Sequence, residues 1–454
     1  MSVKTEVSTD ENKDLVDDIT NSALKAELTN KDATLAALKA KLAKNKEEEN
    51  SMPIRMVEKN TRSIKFGVVG SGQAGSRLAE TFYNAGYDTV VFNTASQDLE
   101  HIKIPDANKC LLQYGLGGAA KDLEIGRAAA EMHKDAINAL VDSKLNDAQV
   151  FLFCLSLGGG SGAGSCETII DILSATGKPV VVMTVLPMSS EDAQVKRNAL
   201  ETLSKLAKEA QNKRIHNLIV VDNAKIETIY SDVSPSAFFS VSNKAIVDPV
   251  DTFNTLSFLS SAVKPLDPME WAKIMTDGGG LSVYGEMNIT NYEDPTAIAN
   301  AVVENLNSGL LATGFDLKQS RYVGVMMVAR KEVWDKVPNI AITYAQEMIG
   351  EVCGTPNGNF HGLYELESAD PDTVKVYSFF SGLGLPEVRV QQLKKDAAAF
   401  AEKAKNKDVE RNLNLKLENN RDDVTSAAEK IRMQISAKKS AFGGLLSSTV
   451  QKKK

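Results

Sequence analysis

Gly158-Gly159-Gly160-Ser161-Gly162-Ala163-Gly164-Ser165 follows the apolar run Val150 to Leu157 and precedes the helical pattern Glu167 to Leu173. The order is strand, glycine loop, helix. Five glycines in seven positions let the main chain fold closely around an anion, turn its amide hydrogens inward and set the positive end of a helix dipole behind them. Such a loop predicts a phosphate ligand.

Glycine-rich turns also serve as flexible connectors, but a strand before and a helix after describe a linker poorly. A second glycine loop discriminates. Ile64 to Val69 reads as a strand, Gly70-Ser71-Gly72-Gln73-Ala74-Gly75 as a turn and Ser76 to Ala85 as a helix. Two phosphate loops on one sheet point to one polyphosphate. The loop at Gly70 also satisfies GxGxxG, the dinucleotide fingerprint, which wants an acidic residue at the end of the next strand for a ribose hydroxyl. That strand, Thr89-Val90-Val91-Phe92, ends in Asn93-Thr94, which counts against a Rossmann-type oxidoreductase. There is no GxxxxGK[ST], so a lysine-based phosphate loop is absent too.

From roughly residue 62 to 386 the chain resembles the tubulin and FtsZ superfamily, because several motifs agree in order and spacing. Gly72-Gln73-Ala74-Gly75 is similar to the first phosphate loop of tubulins, and Asn93-Thr94-Ala95-Ser96-Gln97-Asp98-Leu99 to the second loop of FtsZ. Gly115-Leu116-Gly117-Gly118, followed by Glu124-Ile125-Gly126-Arg127, resembles the gamma-phosphate loop of FtsZ. Gly158 to Ser165 resembles the family signature, with Ser161 keeping the hydroxyl of the usual threonine. The resemblance implies GTP or GDP with Mg2+, held by Gly72, Gln73, Ala74, Asn93, Gln97, Gly117, Gly118 and the signature residues Gly158, Gly159, Gly160, Ser161, Gly162, Ala163 and Gly164. Lys121, in the third loop, reads either as a partial offset of phosphate charge or as a surface lysine.

Pro187 and Glu191 stand where the family's ribose loop has a proline and a glutamate four residues apart. Val195 replaces the arginine expected next, with Lys196 and Arg197 beside it. Leu218 to Val221 is an apolar strand ending in Asp222-Asn223, and the resemblance makes Asn223 a guanine-reading residue. An amide offers both acceptor and donors, so it complements the mixed edge of guanine. Phe239 and Asn243 are similar to the stacking ring and second base-reading amide at the start of the family's central helix, although Phe239 alone reads equally as core.

Asp267 and Glu270 lie three apart in Lys264-Pro265-Leu266-Asp267-Pro268-Met269-Glu270-Trp271. At a helix start that spacing puts both carboxylates on one side, which also describes an ordinary cap with a first-turn acid. The pair resembles the acid pair of alpha-tubulin, on the loop that enters the nucleotide site of the next subunit. FtsZ has two aspartates at that spacing, preceded by an asparagine where Pro265 stands here. The resemblance makes Asp267 and Glu270 catalytic: they orient the attacking water, so GTP hydrolysis is completed at a head-to-tail junction between copies. A contact that repeats without closing makes a filament.

At 454 residues the chain can hold two domains and further segments at both ends. A net charge of −7 argues against bulk affinity for nucleic acid, though not against a local basic patch. Four cysteines without paired spacing read as reduced thiols of a cytoplasmic protein, and four histidines without ligand spacing predict no metal-ligating residues. No apolar run approaches the roughly 20 residues that cross a bilayer, and the polar amino terminus lacks a signal-peptide pattern.

The expected fold is α/β: a parallel-sheet GTP-binding domain (62–233), a long central helix (234–263) with a break at Pro249, and a smaller α+β domain (264–386). Strands of a second sheet are expected at Gly285 to Asn288, Tyr322 to Arg330 and Thr373 to Phe380, and a helix over Pro295 to Leu311. Gly382-Leu383-Gly384 looks like the exit of the last FtsZ strand. Helical or disordered extensions fill 1–61 and 387–454. Leu24, Leu28, Leu35, Leu38 and Leu42 follow a seven-residue pattern, either a short coiled-coil arm or a solvated helix. The end of the chain, with Lys430, Arg432, Lys438, Lys439 and Lys452-Lys453-Lys454 around an apolar patch at Phe442, Leu445, Leu446 and Val450, is either a solvated tail or a contact for an adaptor protein, DNA or an anionic surface.

Three functions follow in order: a polymerising tubulin/FtsZ-like GTPase that positions or segregates cargo such as DNA or serves division, a nucleotide-binding homologue that does not hydrolyse, and an oxidoreductase. Its mixture of tubulin-like and FtsZ-like residues resembles a divergent prokaryotic, plasmid or phage member.

Overall fold

The computed structural model describes residues 61–304, 309–354 and 356–410. The strands are β1 (Phe66–Ser71), β2 (Asp88–Asn93), β3 (Lys109–Leu111), β4 (Val150–Ser156), β5 (Val180–Leu186), β6 (Asn217–Asp222), β7 (Leu281–Ile289), β8 (Tyr322–Ala329), β9 (Gly358–Glu365) and β10 (Val374–Leu383). They form one sheet in the order β3-β2-β1-β4-β5-β6-β7-β10-β8-β9; the strands expected in a second sheet instead continue the first, because β7 pairs with β6.

From β3 to β6 every pairing is parallel. Parallel strands are covered by crossover helices on both faces, which is why β4, β5 and β6 read as nearly unbroken apolar runs and are buried along their length. The period of two divides them: Phe151, Phe153 and Leu155 enter the core on one face, while Val150, Leu152 and Cys154 enter the other. Beyond β6 the sheet passes through the short parallel register Leu218↔Leu281 and Ile219↔Ser282. It then turns antiparallel through β7, β10 and β8, with β9 parallel to β8 at the edge.

The helix Pro235–Leu256 crosses one face. It passes through Pro249 without a break and stops at Leu256, short of the expected 263, where the Ser257 hydroxyl donates to Phe253 O at 2.6 Å. Packing outweighs the lost backbone bond at proline, since Pro249 is buried together with Val250 and Phe253. Phe253 stacks on Trp271 with centroids 4.9 Å apart, and Tyr284 stacks on Phe379 at 5.3 Å. Asn254 fastens this helix to its neighbours. Its carbonyl oxygen accepts from Ile64 N at 2.8 Å and Trp271 Nε1 at 3.2 Å, and its amide donates to Ile64 O at 2.9 Å and the Tyr87 hydroxyl at 3.1 Å.

Other expectations shift in detail. The helix expected over Pro295 to Leu311 is described as Ala297–Glu304, and Leu310 instead bridges Gly285 of β7. The edge strands β3 and β9 and the helix Asn339–Cys353 had no counterpart in the sequence reading. Gly382 has φ +83 at a register shift near the end of β10. The charged stretch after Pro386 begins as the helix Glu387–Glu410, and its remainder, the basic end and the leucine pattern of the amino-terminal arm lie outside the described residues. Among the described residues no helix is long and apolar enough to cross a membrane. All four cysteines are free. Cys154, Cys166 and Cys353 are buried, and burial pushes the thiols of Cys166 and Cys353 up to about 12.

Candidate nucleotide site

Two helix starts define the phosphate end. Helix Gly72–Asn84 begins directly after Ser71, and helix Gly160–Ala175 begins directly after Gly159. Neither start is capped by a side chain, so the first-turn amides can be offered to a ligand, and the positive end of each helix dipole favours an anion. Both helices start earlier than expected: Gly160 to Gly164 are helical, leaving only Gly158 and Gly159 as loop.

Close packing explains why glycines, poor helix formers, are helical here. A Cβ on Gly164 would lie 2.4 Å from Leu123 O, one on Gly126 would lie 2.1 Å from Gly160 O, and one on Gly75 would lie 2.2 Å from Cys154 O. Gly72, at φ +70, meets Gly162 N at 2.7 Å by the same measure. The signature glycines therefore let two helices and their strands touch backbone to backbone.

The loop after β2 closes over this end. Asn93, fully buried, donates to Asp98 Oδ2 at 3.1 Å and accepts from Ala95 N at 3.2 Å, while Gln73 Nε2 lies 3.3 Å from Asp98 Oδ1. The Thr94 and Ser161 hydroxyls share a hydrogen bond of 2.6 Å. Thr94 O accepts from Gly118 N at 2.8 Å, and Gly117 and Gly118 adopt φ +91 and +75, so the third loop hangs from the second.

A cleft of about 440 Å³ runs from these helix starts to the central helix. Gly72, Gln73, Ala74, Gly118, Gly158, Gly159, Gly160, Ser161, Gly162, Pro187, Glu191, Asn223, Phe239 and Asn243 all line it. Asn93, Gln97, Gly117, Ala163 and Gly164 do not; Asn93 instead holds Asp98, which does. Phe239 is 47% exposed, so it faces the cleft rather than the core.

Several lining residues were not singled out from the sequence. Arg77 lies one helical turn after Gln73, and its guanidinium sits over the Phe239 ring at 5.1 Å from the centroid. That i,i+4 spacing was a usable signal. Asp98, inside the second-loop motif, puts a carboxylate in the cleft. Ser242, beside Asn243, is 3% exposed and its hydroxyl has no hydrogen-bond partner. Lys121, which the sequence did single out, also lines the cleft, in a left-handed conformation at φ +65, and pairs with Asp192. The Lys121 hydrogen bond holds the Asp192 carboxyl below its usual range, and Asp192 in turn caps helix Ala193–Gln211 through Val195 N at 3.0 Å. Among the described residues no group of three or more His, Cys, Asp or Glu is placed to hold a metal ion.

Asp267 and Glu270 are not in the cleft. They form a capping box at the start of helix Pro268–Thr276: Asp267 accepts from Met269 N at 2.7 Å and Glu270 N at 3.3 Å, and Glu270 Oε2 accepts from Asp267 N at 3.0 Å. The preceding segment is fixed by β9, because Leu363 N donates to Lys264 O at 2.7 Å and the Tyr364 hydroxyl bonds both Leu266 N, at 2.9 Å, and Leu266 O, at 3.3 Å. Exposed Phe258, Leu259, Val263 and Met269 flank the acids in sequence.

Residues 64–231 match the family model described as Tubulin/FtsZ family, GTPase domain, and residues 252–394 match that of the Tubulin/FtsZ-like protein TubZ-like, C-terminal domain. The chain is similar to the tubulin-like protein TubZ of Bacillus cereus, with 26% identity over 356 residues, 72% of this chain and 80% of that one. Its fold is similar to TubZ of Bacillus thuringiensis serovar israelensis in a GTPγS-form protofilament, with a TM-score of 0.68, 21% identity and coverage of 78% of this chain and 95% of that one. A structure described as a type III plasmid segregation TubZ matches with a TM-score of 0.64 and 20% identity, over 76% and 95% of the two chains.

Proposed function

The chain belongs to the Tubulin/FtsZ family and is a GTPase, and we propose that it stacks head to tail into filaments and hydrolyses GTP where two copies meet. The observation that carries this reading is a divided site. One cleft joins two uncapped helix starts to an end bearing Asn223, Phe239 and Asn243, while exposed Asp267 and half-buried Glu270 lie outside it.

In this reading the first-turn amides of Gly72 and Gly160, with Ser161 and the third loop, hold the phosphates. Pro187 and Glu191 line the ribose, Phe239 stacks on the base, and Asn223 and Asn243 read its edge. Magnesium usually arrives on phosphates with one or two protein oxygens, so a cleft offering the Asp98 carboxylate and the Ser161 hydroxyl, with no group of three or more acids, histidines or cysteines among the described residues, suits it. A magnesium ion held there would neutralise phosphate charge. Asp267 and Glu270 of the next copy orient the attacking water, with their capping box presetting both carboxylates.

The exposed apolar residues near Asp267 suit a contact between copies. TubZ of Bacillus thuringiensis was solved as a protofilament, which supports the same assembly here. Another similar protein is described by plasmid segregation, and DNA is the cargo class we propose. The basic segment 437–454 is the proposed contact for an adaptor, and free, buried thiols suit a cytoplasmic protein. Light scattering on adding GTP, with phosphate release measured across protein concentration, tests the scheme. Turnover per molecule should rise with assembly. Equal turnover in dilute monomer would overturn the shared site, and GTP binding with neither scattering nor turnover would favour the non-hydrolysing homologue.

A further inference from the structure

The helix Glu387–Glu410 lies beyond the segment that matches the GTPase domain, yet it reaches the cleft's walls. Arg389 is buried. Its Nε donates to Asp222 Oδ2 at 2.6 Å, and its Nη2 donates to Asp222 Oδ1 at 3.1 Å and to Pro187 O at 2.9 Å. The same Asp222 carboxylate accepts from Ala224 N at 3.1 Å and so caps the short helix that begins with Asn223. One guanidinium thus fixes both the residue before a proposed base reader and the first residue of the proposed ribose loop.

The loop is held at a second point by the same helix. Asp396 pairs with buried Lys196 at 3.6 Å, and Lys196 Nζ donates to Ser189 O at 2.8 Å. Pro187 O and Ser189 O, two carbonyls flanking Met188, therefore both depend on charges that the carboxyl-terminal helix supplies or orients. Arg389 suits this task because its planar fork satisfies a carboxylate with two bonds and still reaches a carbonyl, whereas a lysine has three donors on one nitrogen and no fork.

We propose that Arg389 is a positioning residue for the nucleotide, through which the carboxyl-terminal helix sets the ribose loop and Asn223. The proposal rests on the nucleotide reading of the cleft. It predicts that disturbing the Arg389 contacts changes nucleotide affinity without touching the acids that act on water.

Removing Arg389 alone leaves a buried carboxylate unpaired, so the informative variants keep the charge or remove both partners. Arg389→Lys keeps the charge but loses the fork. Arg389→Met with Asp222→Asn removes both charges and retains the helix cap, since asparagine caps as well as aspartate. Binding of a fluorescent GDP to the full chain should weaken about tenfold in the double variant and less in Arg389→Lys, a loss of the size expected when site residues shift slightly. The KM for GTP should rise, while kcat at saturating GTP stays within about twofold of wild type. Thermal unfolding, measured in parallel, reports how much of each variant is folded. Wild-type affinity per folded molecule in Arg389→Lys and in the double variant would overturn the proposal and leave Arg389 a structural anchor. Failure of the wild-type protein itself to bind the GDP probe would instead overturn the nucleotide reading.

Discussion

The hydroxyls of Thr94 and Ser161 lie 2.6 Å apart, joining the loop after β2 to the first turn of the signature helix. Ser161→Thr keeps that oxygen and is expected to bind GTP within about twofold of wild type. Ser161→Ala removes one hydrogen bond, worth about 0.5 to 1.5 kcal/mol, so affinity should fall by about two- to twelvefold. Titration with a fluorescent nucleotide reads both.

Asp267 and Glu270 each already have a structural role in the capping box. Asp267→Asn still caps, so it separates catalysis from stability, whereas Asp267→Ala should also cost about 1 kcal/mol of folding free energy. Asp267→Asn and Glu270→Gln are expected to assemble with GTP and release phosphate about a hundredfold more slowly. Unchanged phosphate release would exclude the acids from hydrolysis.

Two glycines in helices should behave oppositely. A Cβ on Gly126 would lie 2.1 Å from Gly160 O, so Gly126→Ala forces the signature helix away and should abolish nucleotide binding or folding. Gly350 has nothing within 4 Å of its Cβ position, and Gly350→Ala should stabilise its helix by about 0.5 to 1 kcal/mol. Thermal unfolding of both variants decides this.

His361 of β9 is 8% exposed, and its Nε2 has no partner. Burial, and then the nearby Lys264 charge, push its pKa down from 6.5 to about 4. The folded state thus resists a proton that the unfolded chain accepts, so stability contributed by neutral His361 is present above pH 6.5 and lost as pH falls from 6.5 towards 4. The loss amounts to at most about 3 kcal/mol. Since β9 fixes the segment before Asp267, acid should loosen that loop early. His361→Leu should flatten the pH dependence of chemical denaturation in this window, and an unaltered slope would remove His361 as its source.

The central parallel strands were legible because both faces are buried, which makes Val150 to Leu155 and Val180 to Leu186 continuous apolar runs. The edges were not. Lys109-Cys110-Leu111 is too short to show a pattern, and β9 carries Gly358, His361 and Gly362, which weaken any strand signal. The start of the signature helix was misjudged because glycine propensity predicts a loop, whereas contacts from Leu123 and Gly126 decide the conformation. Most cleft residues followed from motifs quoted by position. Arg389 could not, since 167 residues separate it from Asp222 and a lone arginine in a charged helix carries no local signature.

Gly72 and Gly162 meet main chain to main chain, with no side chain between them to trade for a larger or smaller one. The main-chain contact beneath the phosphate end is therefore closed to gradual retuning, and only the side chains around it, such as Ser161, can be exchanged there. Divergence in ligand preference among related chains, and any laboratory effort to redirect this one to another nucleotide, have their exchangeable side chains elsewhere in the lining, Arg77, Ser242 and Asn243 among them.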